Sequence, residues 1–161
     1  MLTQKIYKNG SEAQPHVQRW KDMGYEVVFT NGCFDILHEG HIQTLTQAAA
    51  MGDRLIVGIN SDESVQMLKG PSRPLNKEKS RSVVLAALEA VDMVVIFGEE
   101  TPAELLELLI PDVLVKGGDY KKSEIVGAEL VEKYGGRVEV IPFLKGHSTT
   151  GIIKKLKKTN Q

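Results

Sequence analysis

The sequence predicts a doubly wound α/β fold: a five-stranded parallel sheet with helices on both faces. Two observations lead there. Five short runs rich in Val and Ile recur along the 161 residues, at Glu26–Thr30, Arg54–Asn60, Met93–Phe97, Val113–Lys116 and Arg137–Phe143. They are apolar continuously rather than alternately, as strands buried on both faces are. Between them lie helix-like stretches, and such alternation closes by right-handed crossovers into a parallel sheet.

The elements follow in order. Residues to about Gly24 read as a helical extension, with Val17 and Trp20 packing back on the domain. The first strand hands over, through Thr30 to His41, to a helix-like run from Ile42 to Met51. Lys77–Ala90 sets Val83, Val84, Ala87 and Leu88 on one expected apolar face. Ala103–Leu109 follows Thr101-Pro102, a cap with proline at the first helical position. Glu124–Tyr134 stops at Gly135-Gly136. The last helix carries Ile152, Ile153 and Leu156 as its stripe, and its lysines complement the helix dipole. No linker or repeat divides the chain, so residues 1–161 are expected to form one Rossmann-like domain.

Composition narrows the function. The formal net charge is −1, so no basic field points to nucleic acid or a membrane surface. There is one cysteine, Cys33, which excludes an intrachain disulfide and suits a reducing compartment. Glu89 and Asp92 interrupt the longest apolar run, and the N-terminus lacks the apolar core of a signal peptide. A soluble, cytoplasmic protein is expected.

The segment Thr30-Asn31-Gly32-Cys33-Phe34-Asp35-Ile36-Leu37-His38-Glu39-Gly40-His41 concentrates the chemistry. It sits where a strand meets a helix, the edge at which open α/β sheets bind ligands. A helix start offers free N–H groups and the positive dipole end, which attract phosphate. His38 and His41 are three apart and face one space if the helix begins near Glu39. A metalloprotease pair is four apart, and a zinc site would need two further ligands, so no protein metal centre is expected. Gly40 lets the backbone approach a phosphate. Asp35 either caps the turn or orients a histidine or Mg²⁺. Cys33, at a strand end, is expected to be buried and inert rather than nucleophilic.

Other segments suggest a nucleotide. Asn60-Ser61-Asp62 caps the next helix or lines the site edge. Lys69-Gly70-Pro71-Ser72-Arg73-Pro74 is a basic loop suited to phosphate or to solvent. Arg81 reads as an exposed helix residue or a phosphate contact. Lys116-Gly117-Gly118-Asp119-Tyr120 follows a strand on the same predicted edge as His38. Ser148-Thr149-Thr150 caps the last helix, whose N–H groups suit phosphate. Neither a P-loop nor a Gly-x-Gly-x-x-Gly dinucleotide fingerprint is present.

Together and in this order, these segments resemble the His-x-Gly-His nucleotidyltransferase superfamily, here His38-Glu39-Gly40-His41, and its cytidylyltransferase-like members. Val57-Gly58-Ile59-Asn60-Ser61-Asp62, Leu68-Lys69-Gly70-Pro71 and Val113 to Tyr120 extend the resemblance to the adenylyltransferase domain of bacterial ADP-heptose synthases. It covers roughly Val27 to Lys155. The resemblance implies transfer of AMP from ATP to D-glycero-β-D-manno-heptose 1-phosphate, giving ADP-heptose for surface glycans such as lipopolysaccharide, and pyrophosphate. It implies His38, His41, Lys69 and Lys116 as catalytic groups. It implies a nucleotide site of Asn31, Gly32, Cys33, Phe34, Asp35, Gly40, Asp62, Arg81, Gly118, Asp119, Ser148, Thr149 and Thr150. Mg²⁺ would travel with ATP. In many bacteria the similar domain follows a sugar kinase, so a stand-alone form is expected here. A homodimer is a further expectation, from the apolar run Leu105, Leu106, Leu108, Leu109 and Ile110, unless that helix is buried in its own sheet. Glycerol-phosphate cytidylyl transfer and a non-catalytic nucleotide module are the alternatives. His147 receives no role.

Overall fold

Val27, Val28, Phe29 and Thr30 are all buried, which marks their strand as central to the sheet. The computed structural model describes residues 1–160. There β2 (Val27–Gly32) lies between β3 (Arg54–Asn60) and β5 (Val113–Gly117). Outside these lie β4 (Met93–Phe97) and β6 (Arg137–Ile141). With β1 (Ile6–Tyr7), the sheet has six parallel strands among the described residues, ordered β1-β4-β3-β2-β5-β6.

The extra strand is β1 (Ile6–Tyr7), paired with Val94 and Val95 at the sheet edge. The sequence predicts five strands because two residues are too few to display a period. The N-terminal segment is thus built into the sheet rather than only packed on it. Lys5 Nζ donates to the Val91 carbonyl at 2.7 Å, and α1 (Gly10–Asp22) buries Ala13 and Val17. Asn9 caps that helix by accepting from the Glu12 N–H.

Side chains alternate between two cores. Val27, Phe29, Ile56, Val95 and Leu114 meet α1, α5 (Ala103–Leu109) and α6 (Ala128–Lys133). Val28, Leu55, Val57, Val94 and Val115 meet α2 (Glu39–Ala49) and α4 (Glu78–Ala86). Between β3 and α4 runs α3 (Asp62–Lys69), capped by Ser61; α7 (Thr149–Thr159) is capped by Ser148.

Three helix expectations need correction. Helix α4 ends at Ala86 and buries Arg81, Ser82, Leu85 and Ala86, whereas Val83 and Val84 are exposed. The apolar face read from Val83 and Val84 is therefore rotated, because a buried Arg81 breaks the apolar pattern that would reveal the inner face. The Glu124–Tyr134 helix shrinks to α6, preceded by a separate turn at Lys122–Glu124, because Gly127 takes φ 87°, outside helical space. Helix α5 spans the expected Ala103–Leu109, but Pro102 is its N-cap rather than its first residue, and no side chain caps it. Its Leu105, Leu106 and Leu109 are buried in the chain's own core and Leu108 is exposed, so most of the apolar surface behind the homodimer expectation is used internally. Among the described residues, no helix is long and apolar enough to cross a membrane.

The strand order positions the site. The chain steps outward from β2 to β3 and β4, then returns to place β5 on the other side of β2. That reversal opens a crevice at the C-terminal ends of β2 and β5.

Candidate active site

A cleft of about 1000 Å³ occupies this crevice. The end of β2 supplies Asn31, Gly32, Cys33, Phe34 and Asp35, and the end of β5 supplies Lys116. His38, Gly40 and His41 come from the start of α2, Lys69 from the end of α3, and Ser148, Thr149 and Thr150 from the start of α7. Segments remote in sequence converge because parallel strands all deliver their following loops to one edge.

The two histidines are locked in orientation. His38 is the N-cap of α2, and its Nδ1 accepts the Gly40 N–H at 3.1 Å. Nδ1 of His41 accepts the His38 N–H at 3.3 Å. A backbone N–H can only donate, so both Nδ1 atoms carry lone pairs and both Nε2 atoms carry the proton. The rings stack with centroids 3.8 Å apart at 27°. Burial, followed by the neighbouring His38, pushes His41 down to about 4; burial and then His147 lower His38. Both imidazoles are neutral at pH 7 in the free protein, and each is a preset Nε2–H donor.

The connecting loop bends at Phe34, whose φ of 49° is uncommon for a non-glycine residue. Its ring tilts against His41 at 5.2 Å. A Cβ on Gly32 would lie 3.0 Å from that ring and press on it. Burial raises the Cys33 thiol, with nearby cations only partly opposing this, which disfavours a thiolate nucleophile.

Asp35 does not cap α2, whose N-cap is His38. Its fully buried carboxylate pairs with Arg73 Nε at 2.7 Å and accepts the N–H groups of Leu75 and Asn76. Burial pushes its pKa up, but these donors outweigh it and hold the carboxyl below the usual range. The residue staples the basic Gly70–Pro74 loop to the histidine loop. Arg81 is 2% exposed, not on an exposed face. It donates to the carbonyls of Cys33 at 2.8 Å, Asn60 at 2.7 Å and Asn76 at 2.9 Å, and pairs with Asp62 at 2.9 Å. The Asp62 N–H in turn donates to the Glu78 carboxylate, and the Glu78 N–H donates to that of Asp62.

Asp62, Arg81, Gly118 and Asp119 therefore stand outside the cleft lining. Arg81 and Asp62 hold the ends of β2 and β3 from behind; Gly118 makes the turn after β5 at φ 120°. Lys69 is exposed at the rim. Lys116 is partly buried, which lowers its pKa, and its ammonium lies 5.4 Å from the Tyr120 ring centre.

The lining adds Thr44, Arg73, Phe143 and His147 to the nucleotide site expected from the sequence. Thr44 lies four residues after Gly40 and donates to its carbonyl, a helical spacing that was readable. His147 directly precedes the Ser148 cap, which was the available signal. Phe143 carried none; it packs over Gly117 and Gly118 only because β6 runs beside β5.

A crevice at the strand reversal, floored by a His-x-Gly-His helix start and closed by a Ser-Thr-Thr helix start, spans nearly the whole chain. Residues 29–156 match the family described as cytidylyltransferase-like. The chain belongs to the cytidylyltransferase-like family. Among curated relatives of this nucleotidyltransferase family, the "Bifunctional protein HldE" of Bradyrhizobium sp. (strain ORS 278) is 57% identical over 152 residues, covering 94% of this chain and 31% of the relative. That of Magnetococcus marinus is 51% identical over 162 residues, covering 97% and 33%. The chain thus spans about a third of the length of these relatives. A lipopolysaccharide core biosynthesis protein from Thermoplasma volcanium GSS1 superimposes with TM-score 0.61 at 30% identity, covering 77% of this chain and all of that one. A pantoate-beta-alanine ligase from Francisella tularensis shares the fold at TM-score 0.59 and 17% identity, with 97% and 78% covered.

Proposed function

We propose that this cytidylyltransferase-like chain transfers the adenylyl group of ATP to D-glycero-β-D-manno-heptose 1-phosphate, releasing pyrophosphate and forming ADP-heptose. The observation that carries nucleotidyl transfer is the pair of preset imidazole donors at the strand reversal. The heptose acceptor is supported by the resemblance to ADP-heptose synthase and by the HldE-named relatives. The lipopolysaccharide title of the Thermoplasma neighbour agrees with it.

The sugar phosphate is already an anionic nucleophile and needs no general base. One of its oxygens attacks the α-phosphorus in line, the bond to the β-phosphate oxygen breaks, and pyrophosphate leaves with that electron pair. The protein's work is positioning and charge stabilisation. His38 and His41 donate Nε2–H to phosphate oxygens as charge develops. Lys69 and Lys116 supply positive charge from opposite sides of the cleft. The Ser148–Thr150 segment and the backbone from Asn31 to Phe34 hold the nucleotide; Gly40 admits the phosphates to the helix start. Asp35, Asp62 and Arg81 support this arrangement from behind, and Gly118 and Asp119 shape the loop beyond Lys116.

Mg²⁺ would neutralise phosphate charge. The Asp35 carboxylate is fully engaged by Arg73 and backbone N–H groups. Among the described residues no group of three His, Cys, Asp or Glu is arranged to hold a metal. The donor set therefore suits Mg²⁺ carried on nucleotide oxygens and water rather than caged by protein.

The test is pyrophosphate release with Mg²⁺, comparing ATP with CTP across heptose 1-phosphate anomers and glycerol 3-phosphate. Release with ATP and the β-anomer is expected. Preference for CTP and glycerol 3-phosphate would reassign base and acceptor, and nucleotide binding without release on any acceptor would favour a non-catalytic module.

A further inference from the structure

His147 completes a row of three imidazoles. Its ring lies 6.2 Å from that of His38 and within 28° of parallel, as His38 in turn stacks on His41. The row runs from partly buried His41 outward to His147 at the cleft rim. Gly40 leaves it room: a Cβ there would sit 3.0 Å from the His38 ring and 3.2 Å from the His147 Cβ. The fold brings His147 to this point from the other end of the chain. Thr149 Oγ1 ties its segment to the histidine loop by donating to the Ile36 carbonyl at 3.0 Å.

The ring is held loosely. Its Nε2 faces Glu39 Oε2 at 3.6 Å, longer than a hydrogen bond, and the Glu39 side chain is 73% exposed. A contact so long and so exposed is weak. A polyphosphate entering the cleft presents several negative charges against one solvated carboxylate, and its oxygens are better acceptors for an Nε2–H.

We propose that His147 is a nucleotide-binding residue that leaves Glu39 to contact the departing β- and γ-phosphates. The inference rests on the nucleotidyl-transfer reading above. If the α-phosphorus faces His38 and His41, the next imidazole along the row meets the part of the chain that leaves. Glu39 then competes with the nucleotide for His147, and its charge also opposes the incoming phosphates.

Calorimetric titration of ATP, pyrophosphate and AMP into the wild-type protein, His147→Ala, His147→Gln and Glu39→Gln tests this without any sugar acceptor. One lost charged hydrogen bond predicts that His147→Ala weakens ATP and pyrophosphate about tenfold. AMP binding should be unchanged, and His147→Gln, which keeps a donor near the position of Nε2, should recover part of the loss. Glu39→Gln should tighten ATP. Wild-type affinity for ATP and pyrophosphate in His147→Ala would overturn the role, as would equal weakening of AMP, which would mean a general distortion of the cleft. Weaker ATP binding in Glu39→Gln would show the pair to be structural and also overturn it. Failure of the wild-type protein to bind ATP would instead remove the nucleotidyl reading itself, and this inference with it.

Discussion

The two walls of the cleft are built differently. The β2–β3 wall is anchored from behind by buried charge: Arg81 joins three backbone carbonyls to Asp62, and Asp35 joins Arg73 to two backbone N–H groups. The opposite wall, from Phe143 to Thr150, is largely exposed, and its Thr149 hydroxyl donates across to the Ile36 carbonyl of the histidine loop. The histidines, proposed above as transition-state donors, stand on the first wall, and such donors need fixed positions. The second wall would present the proposed nucleotide site with more loosely tied groups. Polar residues that look like ligands in the sequence can thus serve as the frame that fixes the ligands.

The largest effect is expected at Arg81. Arg81→Met should destabilise the fold by about 3–5 kcal/mol, because it leaves buried carbonyls and Asp62 without their donor. The shift of the urea midpoint measures this; a change under 1 kcal/mol would show the network to be dispensable. His41→Ala comes next and should leave the fold intact. Loss of one preset donor should lower kcat about 10²–10³-fold with little change in ATP affinity. A raised KM at unchanged kcat would remove the catalytic role. An NMR titration of the ring should have its midpoint at about 4. Since that lies below the unfolded value, the neutral ring favours folding at pH 7, and this preference fades as pH falls from 6.5 toward 4.

Asp35→Asn should cost about 2 kcal/mol through weakened charged hydrogen bonds. The Asp35 carboxyl is held below the usual range, so its stabilisation is complete above the unfolded carboxylate pKa and is lost as pH falls through the lower folded value. The variant should therefore lose less stability than wild type on acidification; identical acid limbs would refute the pairing. The smallest effect belongs to exposed Val84. Val84→Ser should stay within about 0.5 kcal/mol, whereas the adjacent buried Leu85→Ala should cost about 2–5 kcal/mol. Equal losses would restore the helix face first read from the sequence.

How far the site was legible follows from this division. His38, Gly40, His41, Lys116 and Ser148, which line the cleft, were legible as candidates because each ends a strand or starts a helix, and such positions advertise ligands in α/β proteins. Arg81 and Asp62 were read as possible contacts because a charged residue in a sequence does not show whether its partner is a substrate or a carbonyl. Val83 and Val84 misled because the inner face of α4 contains Arg81 and Ser82, which erases the apolar period.

The sequence by itself determined the alternation of strands and helices, the parallel sheet and the segment that carries the histidines, since these depend on local composition and spacing. Tertiary structure alone decided that Ile6 and Tyr7 form an edge strand, that Asp35 meets Arg73, and that His147 joins His38 and His41. Those pairings cross 38 to more than a hundred residues of chain. Only the register of packed strands brings such distant groups within reach, and no local pattern encodes it.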